Sequence, residues 1–347
     1  FLSCVYTEKK LVWYLPVCLR ISYTCIEYYC MYTPKRMDLW SLMGVLVVCA
    51  IGSVQSKTVG DKLVEESLER LRRVKRVIGG EVIKDVKDWP WLAHMDGKFC
   101  QGWWGGCSHT YCGASVVNKR WVLTAAHCFE HPDAKHANKW HIKAGEEKYE
   151  QNTWDRFWGW VRRSFGDHNA YQKIHGEKVV IHEGYNRNAR WENDIALMKL
   201  AHDLPVERAD IGVVTLPPSS AGKSWPTDGE VCVMKGWGCT ANGGRISETA
   251  RAVPLVKVSD QTCEWRWGVG YNSFTDTRLC AGQQLQAGQQ GICKGDSGGP
   301  LVCKRGGVWT QAGIASFASA SSPGSTPGGF TRVSKYVQWI QDKINRG

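Results

Sequence analysis

A chain of 347 residues with 43% hydrophobic and 22% charged side chains can bury a sizeable core, which excludes disorder as its general state. The 44 Lys and Arg against 33 Asp and Glu leave a formal charge of +11, and 37 Gly beside only 12 Pro exclude a collagen-like or Pro-rich chain. The cysteine count of 15 is odd, and it acquires a meaning only once it is divided by position.

Residues 1–36 start at Phe1 rather than Met and hold Cys4, Cys18, Cys25 and Cys30 among tyrosines with no clean period. They read as an upstream artefact or fragment. At Met37 the character changes to a short start, an apolar run and then small residues, the pattern of a secretory signal peptide over 37–56, with cleavage after Gly52 or Ser56. A signal anchor over 39–54, flanked by Lys35 and Arg36, is the competing reading, but the run is shorter than the ~20 residues a bilayer span needs. The signal predicts a secreted, extracellular protein with no membrane span after its removal. In residues 57–76, Leu63, Val64, Leu68 and Leu71 recur at helical spacing opposite a charged face. This is either a solvated amphipathic helix or an activation propeptide. The ending Arg73-Val74-Lys75-Arg76 suits a protease that cuts after paired basic residues.

From Val77 onward, short apolar runs alternate with Gly and polar turns: Ala114–Val117, Trp121–Ala125, Lys178–Ile181, Val231–Met234 and Gly313–Ala315. They predict an all-β barrel or sandwich rather than βαβ units. At the end of the chain Val333, Val337, Ile340 and Ile344 share one helical face, with Ser334 as the expected N-cap. Ser316–Pro327 is small and Ser-rich, a loop edge.

Three short segments carry chemistry. Thr124-Ala-Ala-His127-Cys128 sets a His among small residues, Asn193-Asp194-Ile-Ala-Leu-Met-Lys-Leu200 sets an Asp ahead of an apolar strand, and Gly295-Asp296-Ser297-Gly298-Gly299-Pro300 sets a Ser in a Gly-rich turn. Each alone has a bland reading: a satisfied core His, an Asp at the start of a strand, a tight turn. Together they suit nucleophilic catalysis. A Ser hydroxyl needs an adjacent base, a His has a pKa near neutrality, and an Asp fixes the His tautomer and stabilises the imidazolium. Glycines around Ser297 let the N–H groups of Gly295 and Ser297 converge on an oxyanion, where one lost donor costs ~10²–10³ in rate.

The order His127, Asp194, Ser297, with Arg76-Val77-Ile78-Gly79-Gly80, Gly236-Trp237-Gly238 and the terminal helix, resembles the chymotrypsin/trypsin family of serine endopeptidases over residues 77–347. The resemblance implies two six-stranded antiparallel β-barrels with a C-terminal α-helix: barrel 1 over about 77–205, barrel 2 over about 206–333, the helix over 334–346. His127 and Asp194 would come from the first barrel and Ser297 from the second. It implies that cleavage after Arg76 frees the Val77 amine to pair with Asp296, a buried pair whose rupture costs roughly 3–5 kcal/mol. Ser316 would support the Asp194 carboxylate, and Ser316, Phe317 and Ala318 would pair with the substrate backbone.

Gly291 stands at the floor of the primary pocket implied by the resemblance, where members that cleave after Arg or Lys have Asp. Neither Ile292 nor Gly328 supplies an acid, so the pocket is expected to be neutral and apolar. Ala318 narrows it by a methyl, Gly328 leaves the opposite wall open, and one methylene-sized change is worth only ~1–3 kcal/mol of selectivity. Cleavage after Phe, Tyr, Leu or Met is the expectation, with an elastase-like preference for small residues as the alternative. Lys294 at the lip either favours acidic substrate positions or is simply solvated.

Five cysteines precede residue 57, which leaves ten, and these can all pair in an oxidising compartment. The resemblance implies Cys112–Cys128, Cys232–Cys303 and Cys263–Cys280. For the remaining four, a Cys239–Cys293 bridge beside the oxyanion loop and a Cys100–Cys107 bridge closing its own hairpin are expected, against a free thiol pair. Residues 1–76 hold 12 of the basic and 7 of the acidic side chains, so residues 77–347 keep a net charge of only +6.

The separation of 67 residues between His127 and Asp194 is long for the family, with excess near 129–140 and 151–176. The second stretch holds Trp154, Arg156, Phe157, Trp158, Trp160, Arg162 and Arg163. It is either a satellite cluster packed on its own barrel or a surface for acidic polymers, membranes or proteins. Glu146 and Glu147 do not make a full carboxylate set, so no metal site is expected, nor any cofactor. The expected partners are a protein or peptide substrate, an activating protease cutting after Arg76 and a protein inhibitor, with no nucleic acid and a monomeric enzyme. A catalytically silent homologue acting as a binding module is the rival class, and retention of all three chemical residues argues against it.

Overall fold

In the computed structural model, the residues described are 81–82, 85–100, 106–146, 148, 172–240, 244–269, 274, 276–282, 291–319 and 326–347. All belong to the unit Arg73–Gly347. Arg76, Val77 and the 151–171 part of the aromatic-basic insertion lie outside the described residues.

Alternation of buried and exposed side chains builds the first barrel. In β2 (Leu92–Cys100) the buried Met95, Gly97 and Phe99 alternate with Asp96, Lys98 and Cys100. This strand pairs with β3 (Cys107–Asn118) and β5 (Trp140–Ala144). The ring closes through β4 (Trp121–Thr124), β7 (Ala196–Leu200) and β6 (Gln172–Ile181), every pairing antiparallel. The stretch 129–140, read as excess loop, packs as 3-10 turns under the barrel, where Trp140 Nε1–H donates to Ala134 O at 2.7 Å.

The second ring runs β8 (Val231–Gly236), β9 (Arg251–Val258), β10 (Arg278–Gly282), β13 (Gly328–Arg332), β12 (Val308–Phe317) and β11 (Pro300–Arg305). Pairing of β8 with both β9 and β11 closes it, and the two-residue β1 (Glu81–Val82) adds to β9. Leu255, Leu279, Leu301 and Phe330, each 0% exposed, form its core. Cys232 and Cys303 face each other on β8 and β11 and form a disulfide spanning 71 residues, worth roughly 4 kcal/mol by loop-closure entropy. The described part of the chain thus forms two six-stranded antiparallel barrels followed by a helix, as the family resemblance implies.

Two local expectations change. The terminal helix α2 is Val337–Asn345, not 334–346, and Ser334 does not cap it. Ser334 sits in a single 3-10 turn (Val333–Lys335), and its hydroxyl donates to Gly222 O at 3.0 Å. A tertiary acceptor has taken the group that would otherwise have served the helix end. A second helix, α1 (Asp260–Trp267), was not anticipated, although its signals are local: Ser259 Oγ accepts from Thr262 N, and Gly268 ends it in the left-handed region at φ 59°. Val333, Tyr336 and Ile340 join the apolar cluster of the first barrel, so the chain returns from the second barrel to pack on the first. Among the described residues no helix is long and apolar enough to cross a membrane.

Replacing Phe330 by Ala empties a fully buried site at the centre of the second barrel. The expected loss is about 3–5 kcal/mol of unfolding free energy, read from the urea midpoint.

Candidate active site

β4 ends at Thr124, and the chain turns at once into a 3-10 helix, Ala126–Phe129, that carries His127. Ala125 and Ala126 are buried, so small side chains let the turn sit directly on the barrel. Asp194 lies just before β7 with its side chain 0% exposed, against 17% for His127. Two contacts join them: His127 N–H donates to Asp194 Oδ1 at 2.9 Å, and His127 Nδ1 lies 2.7 Å from Asp194 Oδ2. A carboxylate can only accept, so Nδ1 carries the proton and Nε2 is left as the basic nitrogen.

The second barrel completes the support of this first-barrel acid. Ser316, near the end of β12, donates its hydroxyl to Asp194 Oδ2 at 2.5 Å, and Thr331 of β13 donates to Asp194 O at 2.7 Å. Asn193 holds φ 54°, its amide donates to Gly184 O, and its Oδ1 accepts from Tyr336 OH at 2.7 Å. The contributions of Thr331, Asn193 and Tyr336 were not read from the sequence. Burial lowers the His127 pKa, but the Asp194 charge and hydrogen bond, with help from Glu130, outweigh it and leave the net direction upward; Arg187 opposes the rise. Glu130 is itself held by Tyr185 OH at 2.5 Å and by Arg187 at 3.2 Å.

Ser297 is held against the first barrel by a backbone strap. Gly113 N–H of β3 donates to Ser297 O at 2.7 Å, Gly298 N–H to Ala315 O at 2.8 Å, and Ala315 N–H to Gly299 O at 2.9 Å. Gly298 holds φ 79°, and a Cβ there would lie 2.2 Å from Thr124 Oγ1 and 2.5 Å from Gly113 O. No side chain fits between strap and strand, so the Ser297 loop lies against Thr124, three positions before His127. The N–H groups of Gly295 and Ser297 have no acceptor among the described residues.

Asp296 turns its carboxylate into a recess walled by Gly236 and Gly238, where added Cβ atoms would fall 2.3 and 2.0 Å from its oxygens. Burial pushes its pKa up to about 6, against the pull of N–H donors from Cys293 and Gly238, each at 2.9 Å.

Around the expected pocket, Gly291, Ile292, Ser316 and Gly328 are buried, Phe317 and Ala318 half-buried and Lys294 exposed. Gly328 is not the open wall the sequence suggested. A Cβ there would fall 2.6 Å from Ile292 Cγ1, so Ile292 already fills that side. Trp191, also unforeseen, stacks on Phe317 at 5.8 Å, and Trp267 meets the same ring edge-on at 5.3 Å. Among the described residues five disulfides are present: Cys100–Cys107, Cys112–Cys128, Cys232–Cys303, Cys239–Cys293 and Cys263–Cys280. No group of three or more His, Cys, Asp or Glu among the described residues is arranged to hold a metal ion.

In a Ser297→Ala variant followed by NMR, the His127 ring should titrate above its ordinary 6.5, and adding Asp194→Asn should lower that value because the leading upward influence is gone. A raised folded-state pKa means that this group's contribution to stability is full below pH 6.5 and fades as pH rises through the folded value.

A family model described as Trypsin matches residues 77–340. That match takes in both barrels and the whole site within most of the chain's length, and on this ground the chain belongs to the trypsin family and is a serine endopeptidase acting on protein or peptide substrates.

Proposed function

We propose that Ser297 is the nucleophile, His127 the general base and then acid, and Asp194 the group that orients and stabilises the imidazolium. The carrying observation is the 2.7 Å contact of His127 Nδ1 with a carboxylate that Ser316 also serves, beside a strap tied to β3. Ser297 Oγ would attack the scissile carbonyl while its proton passes to His127 Nε2. The Gly295 and Ser297 N–H groups would receive the oxyanion. His127 then gives its proton to the leaving amine, and water attacks the acyl-enzyme with the same base.

The protein would be made as a secreted zymogen: signal peptide 37–56, propeptide 57–76, protease domain 77–347. Five disulfides suit an oxidising compartment. Activation would be cleavage after Arg76, giving the Val77 amine a buried partner in Asp296. In support, among the described residues the Asp296 carboxylate is served by two main-chain N–H groups and by no cation. Such a carboxylate gains most from an incoming positive charge. The working enzyme would be a monomer, open to a protein inhibitor at the same site.

Gly291, Ile292, Ala318 and Gly328 would make a neutral apolar pocket that prefers Phe, Tyr, Leu or Met. Seating of Ile292 against Gly328 favours a second reading, a shallower pocket for small residues.

Fluorophosphonate labelling should modify Ser297 after cleavage at Arg76, and neither the Ser297→Ala variant nor the uncleaved chain. Absence of labelling in the cleaved enzyme would sink the assignment. A peptide library should show cleavage after apolar residues, and efficient cleavage after Arg would overturn the pocket reading. Ile292→Ala should shift kcat/KM toward Phe over Ala by about tenfold or more.

A further inference from the structure

Beyond the three chemical residues, the nucleophile loop is held at an unexpected place. The Asp296 carboxylate takes one hydrogen bond on each oxygen, from Gly238 N–H to Oδ1 and from Cys293 N–H to Oδ2, both at 2.9 Å. These donors belong to two segments more than fifty residues apart, and the disulfide Cys239–Cys293, of sequence separation 54 and Cα separation 5.5 Å, joins those same segments. One bridgehead is a donor itself and the other is the residue after a donor. Cys239 N–H also donates to Lys294 O at 3.0 Å, and Asp296 N–H to Cys293 O at 3.0 Å. Between these anchors lies Gly295 at φ 98°, where an added Cβ would meet Ile246 Cγ2 at 2.7 Å and Gly238 Cα at 3.3 Å. Ile246 faces Cys239 across an isolated β-bridge.

We propose that the Cys239–Cys293 disulfide is a positioning element for catalysis: by clamping together the two amides that hold Asp296, it fixes the Gly295–Ser297 backbone in its oxyanion-binding form. The proposal rests on the assignment of Ser297 as nucleophile. The bridge touches no substrate. It acts through the Asp296 cradle on the peptide groups on either side of that residue. Hydrogen bonds alone would leave the segments joined by a few amides, each worth only a modest net amount in competition with water. A covalent link removes the states in which the recess opens and the loop turns away. Loss of the link therefore lowers the fraction of molecules with a formed site and so lowers kcat, while the walls that bind substrate, on β12 and β13, keep their own strand pairing.

The test compares the full chain cleaved at Arg76 with its Cys239→Ala/Cys293→Ala variant and, as a control, the Cys100→Ala/Cys107→Ala variant. The control removes a bridge between the ends of β2 and β3. The first variant should lose about tenfold or more in kcat with KM within about threefold, and fluorophosphonate labelling of Ser297 should slow in proportion. The control should keep kcat within about twofold whatever its melting temperature. A folded first variant with parental kcat and labelling rate would overturn the proposal. Should that variant fail to fold, stepwise reduction of the parent enzyme, with opened bridges mapped by mass spectrometry, reads the same property. Activity should fall as Cys239–Cys293 opens, and activity that persists with that bridge open would overturn the idea. A parent enzyme that never labels at Ser297 would instead refute the nucleophile assignment.

Discussion

The rest of the site depends on one buried charge. Asp194 is 0% exposed, and a carboxylate out of water is tolerable only where donors replace its hydration. Those donors come from both halves of the molecule: the main-chain N–H and ring of His127 on the first barrel, and the hydroxyl of Ser316 on the second. Thr331, also from the second barrel, holds the carbonyl of the same residue. Separating the two barrels would take the Ser316 hydrogen bond from that charge and the Thr331 hydrogen bond from the carbonyl of the same residue. The requirement that stabilises the interface is therefore also the one that fixes the tautomer and orientation of His127.

A second constraint is steric and acts where backbone meets backbone. Gly113 on β3 lies so close to the strap carrying Ser297 that a Cβ would fall 2.7 Å from Gly299 Cα. Gly298 could carry no side chain without meeting Thr124 and Gly113, and its φ of 79° disfavours one in any case. These glycines bring Ser297 to the strand that leads into His127. The same economy governs the recess for Asp296, where Gly236 and Gly238 leave room for a carboxylate and present N–H groups to it. Motifs that read as glycine-rich punctuation in the sequence are thus the contact surfaces of the site.

Legibility differed from element to element for physical reasons. The strands near Ala114, Trp121, Lys178, Val231 and Gly313 were visible because short apolar runs bounded by turn residues have few other solutions. Ser334 misled because a serine ahead of an apolar helix is locally an N-cap, and only the folded chain brings Gly222 O within its reach. The helix Asp260–Trp267 was overlooked because its apolar periodicity is weak, although Ser259 and Gly268 mark its two ends. Gly328 was read as open space because a missing side chain leaves a gap only if no neighbour fills it, and Ile292 does. Trp191 and Thr331 bear no motif at all. Their importance is positional, through a ring stacked on Phe317 and a hydroxyl beneath Asp194.

The sequence by itself carried the residue types and their order along the chain: His127, Asp194 and Ser297 in their small-residue and glycine-rich surroundings, the short apolar runs of an all-β barrel or sandwich, and an even set of ten cysteines after residue 56. These are properties of local residue types, and local rules reach them. Only the tertiary structure decided that Thr331 holds the Asp194 carbonyl, which side chain fills the space beside Gly328, and that the segments joined by Cys239–Cys293 carry the amides that bond Asp296. Each of those joins residues dozens of positions apart. Hydrogen bonds, close packing and disulfides depend on ångström-scale distances that no spacing along the chain encodes.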